Sequence, residues 1–144
     1  MDGNDNNVVV YALNPKFKKL KKVVQITALN TLKQLRKNNC SLEIFLVTNR
    51  NIQKINAQYR NKNTVTNILS FTYPYFIRPD LKSKKFLGEI YLAPDFIQKQ
   101  KQEIGFLIVH GILHLLGYTH FTLKNSIIMK KQENKIWSAL KTKV

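Results

Sequence analysis

Cysteine occurs once in this chain, as Cys40, which excludes an internal disulfide and a cysteine-rich zinc ribbon. Long apolar runs are absent: nothing approaches the roughly 20 residues that a membrane-spanning helix requires, and no charged-then-apolar leader opens the sequence. These absences predict a cytoplasmic product without a membrane partner. Acidic side chains are scarce, 8 against 24 lysines and arginines, leaving a formal charge of +16. Solubility of a small domain calls for a magnitude of only about 2 to 8, so the excess points to a polyanionic partner. A basic amphipathic segment with a strong aromatic face is missing too, which favours nucleic acid over a membrane surface. The lysines are spread along the chain, and drift toward lysine and asparagine is the competing source of part of the charge.

Only three histidines occur, and all lie in one stretch, Ile104 to His120, which reads IGFLIVHGILHLLGYTH. A spacing of four puts His110 and His114 on one face of a helix, a turn apart. Gly117 stands where that helix must end, and a glycine in the left-handed conformation would turn the chain so that His120 returns to the other two. A lone histidine in an apolar run is ordinarily a hydrogen-bonded core or boundary residue. Three imidazoles among Phe106, Leu107, Ile108, Val109, Ile112, Leu113, Leu115 and Leu116 would need many buried partners, which one metal ion supplies at once. Three neutral imidazoles with an open fourth position suit catalytic zinc, and nickel is also compatible with such donors. The spacing matches the histidines and glycine of the long metzincin protease signature. However, Gly111 occupies the position of the glutamate base that such a protease requires.

VHGILHLLGYTH resembles the signature HGxLHLxGYDH of the YbeY family, metal-dependent, single-strand-specific endoribonucleases of bacterial rRNA maturation. Ile55 to Phe71, INAQYRNKNTVTNILSF, is similar to that family's LNxxYRxKDxPTDVLSF, and Leu87 to Pro94, LGEIYLAP, to its LGDIxI block. The resemblance runs from Val8 through almost the whole chain. Thr119, Asn63 and Asn67 stand where the family carries aspartates, Glu89 replaces a further aspartate, and Val65 replaces a proline. Met129 and Glu133 match a methionine and a glutamate of the family pattern, although a core methionine and a surface acid would explain both.

At 144 residues the chain suits one domain. Residues 1–7 are polar and are expected to form a flexible arm before a domain over 8–144. Val8 to Leu13 reads as a strand, and Pro15 as the first turn of a helix reaching about Lys37, with Phe17, Leu20, Val24, Ala28, Leu32 and Leu35 as its buried stripe. Lys16, Lys18, Lys19, Lys21 and Lys22 fall mainly on its solvated side. Leu42 to Val47 is a second strand, and Asn49 a cap for a helix over Arg50 to Tyr59 with Ile52, Ile55 and Tyr59 on its apolar face. Asn61 to Thr66 reads as a connection, Ile68 to Tyr73 as a strand ended by Pro74, and Tyr75 to Lys85 as a basic, aromatic loop. Leu87 to Ala93 is the fourth strand. A short loop then leads to the histidine helix, and a last helix spans Lys124 to Lys141. The predicted class is α/β (α+β): one small domain with a mixed four-stranded sheet packed with helices, and the metal site on a central helix.

The expected activity is cleavage of phosphodiester bonds in single-stranded RNA. A metal ion on His110, His114 and His120 would lower the pKa of a coordinated water and polarise a phosphoryl oxygen, yielding an activated hydroxide without a protease-type base. Hydrolysis and attack by the ribose 2′-OH both fit. Arg60 and His114 are the candidate catalytic residues, the arginine because its paired donors suit phosphate oxygens. Asn67, Ser70, Phe71, Glu89 and Thr119 are candidates for shaping the cleft or supporting the ligands, and Phe71 or Tyr73 for stacking on an unpaired base. The resemblance further implies action at the 3′ end of 16S rRNA and in ribosome quality control, with the small ribosomal subunit or ribosome as partner. The competing functions are a ribosome-associated RNA-binding factor with little nuclease activity and, against the missing glutamate, a metalloprotease.

Overall fold

The protein is described by a computed structural model covering residues 5–72 and 84–141. Strand β1 (Asn7–Ala12) turns Val8 and Val10 inward. A 3-10 turn (Pro15–Leu20), capped by the Asn14 side chain accepting from the Lys16 N–H, leads into α1 (Lys21–Gln34). Next come β2 (Cys40–Leu46), α2 (Asn49–Arg60), β3 (Ile68–Thr72) and β4 (Lys85–Leu92). The chain continues through α3 (Pro94–Lys99), α4 (Ile104–Leu115) and α5 (Leu123–Lys141). The strands lie in the order β1-β2-β4-β3; β2 is parallel to β1 and β4, and β3 is antiparallel to β4. The domain is thus α/β with the mixed four-stranded sheet expected from the sequence.

Two layers bury the sheet. Val8, Val10, Leu42, Ile44, Leu46, Ile90 and Leu92 meet Val24, Ala28 and Leu32 of α1 and Ile108 and Ile112 of α4 in the main core. Each of the valine, leucine and isoleucine side chains among them contributes about 1.5–3 kcal/mol when fully buried. Ile52 of α2 packs with Val47, Leu69 and Ala93 in a separate cluster that also takes in Phe45, Phe71 and Tyr91. Burial on both faces is why β2 reads as a nearly continuous apolar run rather than an alternating one. The second side of α4 receives α5, where Val109 and Leu113 meet Met129, Ile136 and Leu140. Sheet and α1 on one side and α5 on the other explain a helix apolar almost all round, with its histidines on the strip left open.

Several boundaries differ from the sequence reading. The helix expected over residues 15–37 winds as a 3-10 turn before α1. The cap of α2 is Thr48, whose hydroxyl accepts from the Asn51 N–H at 3.2 Å; Asn49 is already helical. Tyr59 is 63% exposed, and the buried place on that helix belongs to Asn56. The loop before the histidine helix contains α3, and Lys85 opens β4 instead of closing a loop. At the start, the expected arm is too long: Asn7 pairs with Ser41, while the Asn6 side chain donates to the Lys37 carbonyl and accepts from the Cys40 N–H. Tyr73, Pro74 and nearly all of the basic, aromatic loop after them lie outside the described residues.

Candidate metal centre

The end of α4 builds the centre. Gly117 adopts φ +101°, the Gly117 N–H donates to the His114 carbonyl, and the Tyr118 N–H donates to the Leu113 carbonyl. Those two bonds form the glycine-dependent closure that satisfies the last carbonyls of a helix and reverses the chain. The turn has a second effect: it presents the Tyr118 carbonyl to Nδ1 of His114 at 3.1 Å. Beyond it His120 lies back against the helix. The three ring centroids are 4.5 Å (His110 to His114), 4.7 Å (His114 to His120) and 5.6 Å (His110 to His120) apart.

One ligand nitrogen from each ring can be chosen so that all lie within 4.8 Å of one another. Nδ1 of His110 contacts the carboxylate of Glu133, and Nδ1 of His114 faces a carbonyl. Both acceptors call for a proton on Nδ1, which in the neutral rings leaves a lone pair on each Nε2. Yet the two Nε2 atoms are only 3.1 Å apart. Two lone pairs at that distance repel unless a shared proton or a metal ion lies between them. Tetrahedral zinc–imidazole geometry places ligand nitrogens about 3.3 Å apart, so the donor set fits a divalent metal ion. Burial, reinforced by His110 and His120, pushes the His114 pKa below the ordinary histidine range, favouring the neutral form that a metal needs.

A cleft of about 760 Å³ opens over the histidines, lined also by Arg60, Lys62, Ser70, Tyr118, Thr119 and Phe121. Arg60 ends α2, where Nη2 donates to the Ser70 carbonyl at 2.8 Å and the guanidinium lies 5.0 Å from the centre of the Phe71 ring. The arginine therefore seals a carbonyl on the edge strand β3 while lining the histidine cleft, and one bond leaves it further N–H donors. Thr119 accepts a long contact from Asn125 Nδ2 at 3.4 Å.

The remaining candidates lie elsewhere. Phe71 and Glu89 border a separate cavity of about 400 Å³ with Tyr59 and Tyr91, and the Tyr91 hydroxyl donates to Glu89 at 3.1 Å. Asn67 donates to Gln102 at 3.1 Å, tying β3 to the segment before α4. Asn63 accepts from Gln53 at 3.2 Å on an exposed loop.

Three residues at or behind the cleft escaped the sequence reading. Glu133, expected on the surface, is buried; its coincidence with a family glutamate was the available signal. Asn56 is buried too, its side-chain nitrogen donating to the Thr64 carbonyl at 3.0 Å, and it pins the connection that rims the cleft. Its place four residues after Ile52, on the buried stripe, marked it. Phe121, 90% exposed beside His120, is the open aromatic at the rim, whereas Phe71 is occupied by Tyr59, Tyr91 and Arg60.

A family profile described as Endoribonuclease YbeY matches residues 10–141. The Endoribonuclease YbeY of Pelagibacter ubique (strain HTCC1062) is 38% identical over 112 residues, covering 72% of each chain. That of Mesomycoplasma hyopneumoniae (strain 7448) is 36% identical over 128 residues, covering 83% of this chain and 85% of the relative. The solution structure of TM1509 from Thermotoga maritima has a similar fold, with a TM-score of 0.59, 23% identity and coverage of 94% of this chain and 93% of that one.

Proposed function

The chain belongs to the YbeY endoribonuclease family, and from that premise we propose that it is a metal-dependent endoribonuclease cutting single-stranded RNA at the histidine cleft. The observation that carries this reading is the pair of Nε2 lone pairs set 3.1 Å apart, with both Nδ1 atoms already engaged, in a cleft that also holds Arg60. His110, His114 and His120 would hold the ion, zinc being the best match to three imidazoles, with nickel also accommodated. A divalent ion bound there supplies a Lewis acid for a phosphoryl oxygen and activates water near neutral pH.

The chain's own residues do the rest. The Tyr118 carbonyl holds the His114 ring in the tautomer whose Nε2 faces the cleft. Arg60, steadied by Ser70 and Phe71, directs its remaining N–H groups at a phosphate and stabilises the charge that develops on its oxygens. Lys62 adds positive charge to the same cleft, and the formal +16 of the chain draws the polyanion in. Phe121 offers an exposed ring on which an unpaired base can stack, which a base held in a duplex cannot do. Thr119 is a neutral hydroxyl at the lip of the site, and Ser70 contributes to its wall.

The substrate in this reading is the 3′ region of 16S rRNA on the small ribosomal subunit, in maturation and ribosome quality control in the cytoplasm. The family resemblance and the charge of the chain support it, and no helix among the described residues is long and apolar enough to cross a membrane. The neutral residues Asn63, Asn67 and Thr119 favour one alternative, an RNA-binding factor with little turnover. Purified protein assayed on unpaired RNA, duplex RNA and unfolded peptides separates these readings. Multiple turnover on unpaired RNA alone is expected. Binding without turnover would leave the RNA-binding factor, and peptide cleavage would restore the protease.

A further inference from the structure

Glu133 is the only charged side chain that is buried among the described residues, and the chain has few acids from which to provide one. Removing a carboxylate from water is costly unless it is paired and hydrogen-bonded. Along α5 its companions Met129, Ile136 and Leu140 pack against Val109 and Leu113, so an apolar side chain at 133 would continue an existing core. The carboxylate instead contacts Nδ1 of His110. Nothing in the packing of α5 onto α4 requires an acid there; the histidine does.

We propose that Glu133 is the positioning residue of the metal centre. By accepting the Nδ1 proton of His110 it fixes the tautomer, holds the ring plane so that Nε2 points at His114, and raises the basicity of that nitrogen toward a metal ion. His114 receives the corresponding support from a backbone carbonyl, which is neutral and belongs to its own turn. Glu133 is different because it comes from another helix and carries charge. It makes α5 a working part of the site although that helix contributes no ligand. Metal binding and the docking of α5 on α4 are consequently linked: whatever loosens α5 weakens the ion, and the ion tightens α5 by the same factor. The neutral Thr119 leaves Glu133 as the carboxylate in contact with a ligand ring, so the loss of the family aspartate at 119 need not leave the ligands without acidic support. This inference rests on the metal reading above.

The test uses metal-free full-length protein titrated with zinc against a competing chelator, and with cobalt(II) followed by its visible spectrum. Wild type, Glu133→Gln, Glu133→Ala and Met129→Leu are compared, together with thermal melting of each metal-free form. Glu133→Ala is expected to weaken metal binding by about 10 to 100-fold and to change the cobalt spectrum. Glu133→Gln, nearly the same shape and still able to accept from Nδ1, should lose a smaller part, and Met129→Leu should bind within about twofold of wild type as a purely packing change. Hydrogen exchange in α5 should slow on metal addition in wild type and less in Glu133→Gln. Variants that melt lower yet bind metal as wild type does would reduce Glu133 to a packing residue and overturn the proposal. Should Glu133→Ala fail to fold, Glu133→Gln still decides it. A wild type that binds neither ion would overturn the metal reading itself.

Discussion

Gly111 gives the sharpest test of why this histidine helix does not belong to a protease. A methyl group placed there would lie 2.8 Å from Ile68 Cδ1, 3.1 Å from Ile90 Cδ1 and 3.1 Å from Ser70 Oγ, against ordinary contact distances of about 3.5–4.0 Å. Replacing a glycine by alanine inside a helix normally stabilises by about 1 kcal/mol, and overpacking of this kind costs about 1–3 kcal/mol. Gly111→Ala should therefore be between neutral and about 2 kcal/mol less stable, depending on how far the half-buried Ile68 can swing aside. Gly111→Glu adds two methylenes and a carboxylate against the fully buried Ile90, with a burial penalty of several kcal/mol for the charge. On a domain stable by about 5–15 kcal/mol that is enough to displace α4 or unfold the chain. Urea melts of the metal-free proteins measure both changes. Wild-type stability in Gly111→Glu, or peptidase activity gained by it, would refute the account: the missing glutamate would then be an accident of sequence and not a consequence of how closely α4 lies on β3 and β4.

Other outcomes follow from the same geometry. Arg60→Ala should cost no more than about 1 kcal/mol in stability, since the group is exposed and gives up one hydrogen bond and one ring contact. Turnover on RNA should nevertheless fall by about 100 to 1,000-fold, with Arg60→Lys recovering little; equal losses in stability and activity would show a structural role alone. Cys40 is buried, and burial pushes its thiol pKa up against the opposing effect of Lys37 and Lys85, so native protein at pH 8 should react with iodoacetamide far more slowly than urea-unfolded protein. The depressed pKa of His114 sets a pH dependence for the metal-free chain: below the ordinary histidine value of about 6.5 the unfolded state takes a proton that the folded state resists, so stability falls as pH drops. Above that value this contribution is flat. Urea midpoints between pH 5 and 8 should decline on the acid side in wild type and less in His114→Gln.

Local periodicity revealed much of this architecture. The stripe on α1, the succession of strands and helices along the chain and the closure at Gly117 all depend on residues close together in sequence, and the spacing of His110, His114 and His120 was enough to bring them together. The order β1-β2-β4-β3 within the sheet rests on pairings between distant residues and was not legible there. Glu133 was misread because its burial depends on the docking of α5 against α4, a contact made by residues far from it in sequence, while its own neighbours Gln132 and Asn134 are polar. Glu89 shows the converse. It belongs to a block that resembles the family, but its side chain meets Tyr91 in the separate cavity shared with Phe71, away from the histidines. Asn49 lost the cap to Thr48 because both residue types serve equally well and only the backbone angles, extended at Thr48, choose between them.

The central claim is that RNA cleavage belongs to a metal ion held by His110, His114 and His120. Its most direct test is to strip the protein of metal, verify this by elemental analysis, and follow the cleavage of unpaired RNA as zinc is added back. The account predicts no cleavage without metal, full activity at about one equivalent, and no recovery in the triple alanine variant although it still binds RNA. An undiminished rate in verified metal-free protein, or in the triple variant, would contradict it.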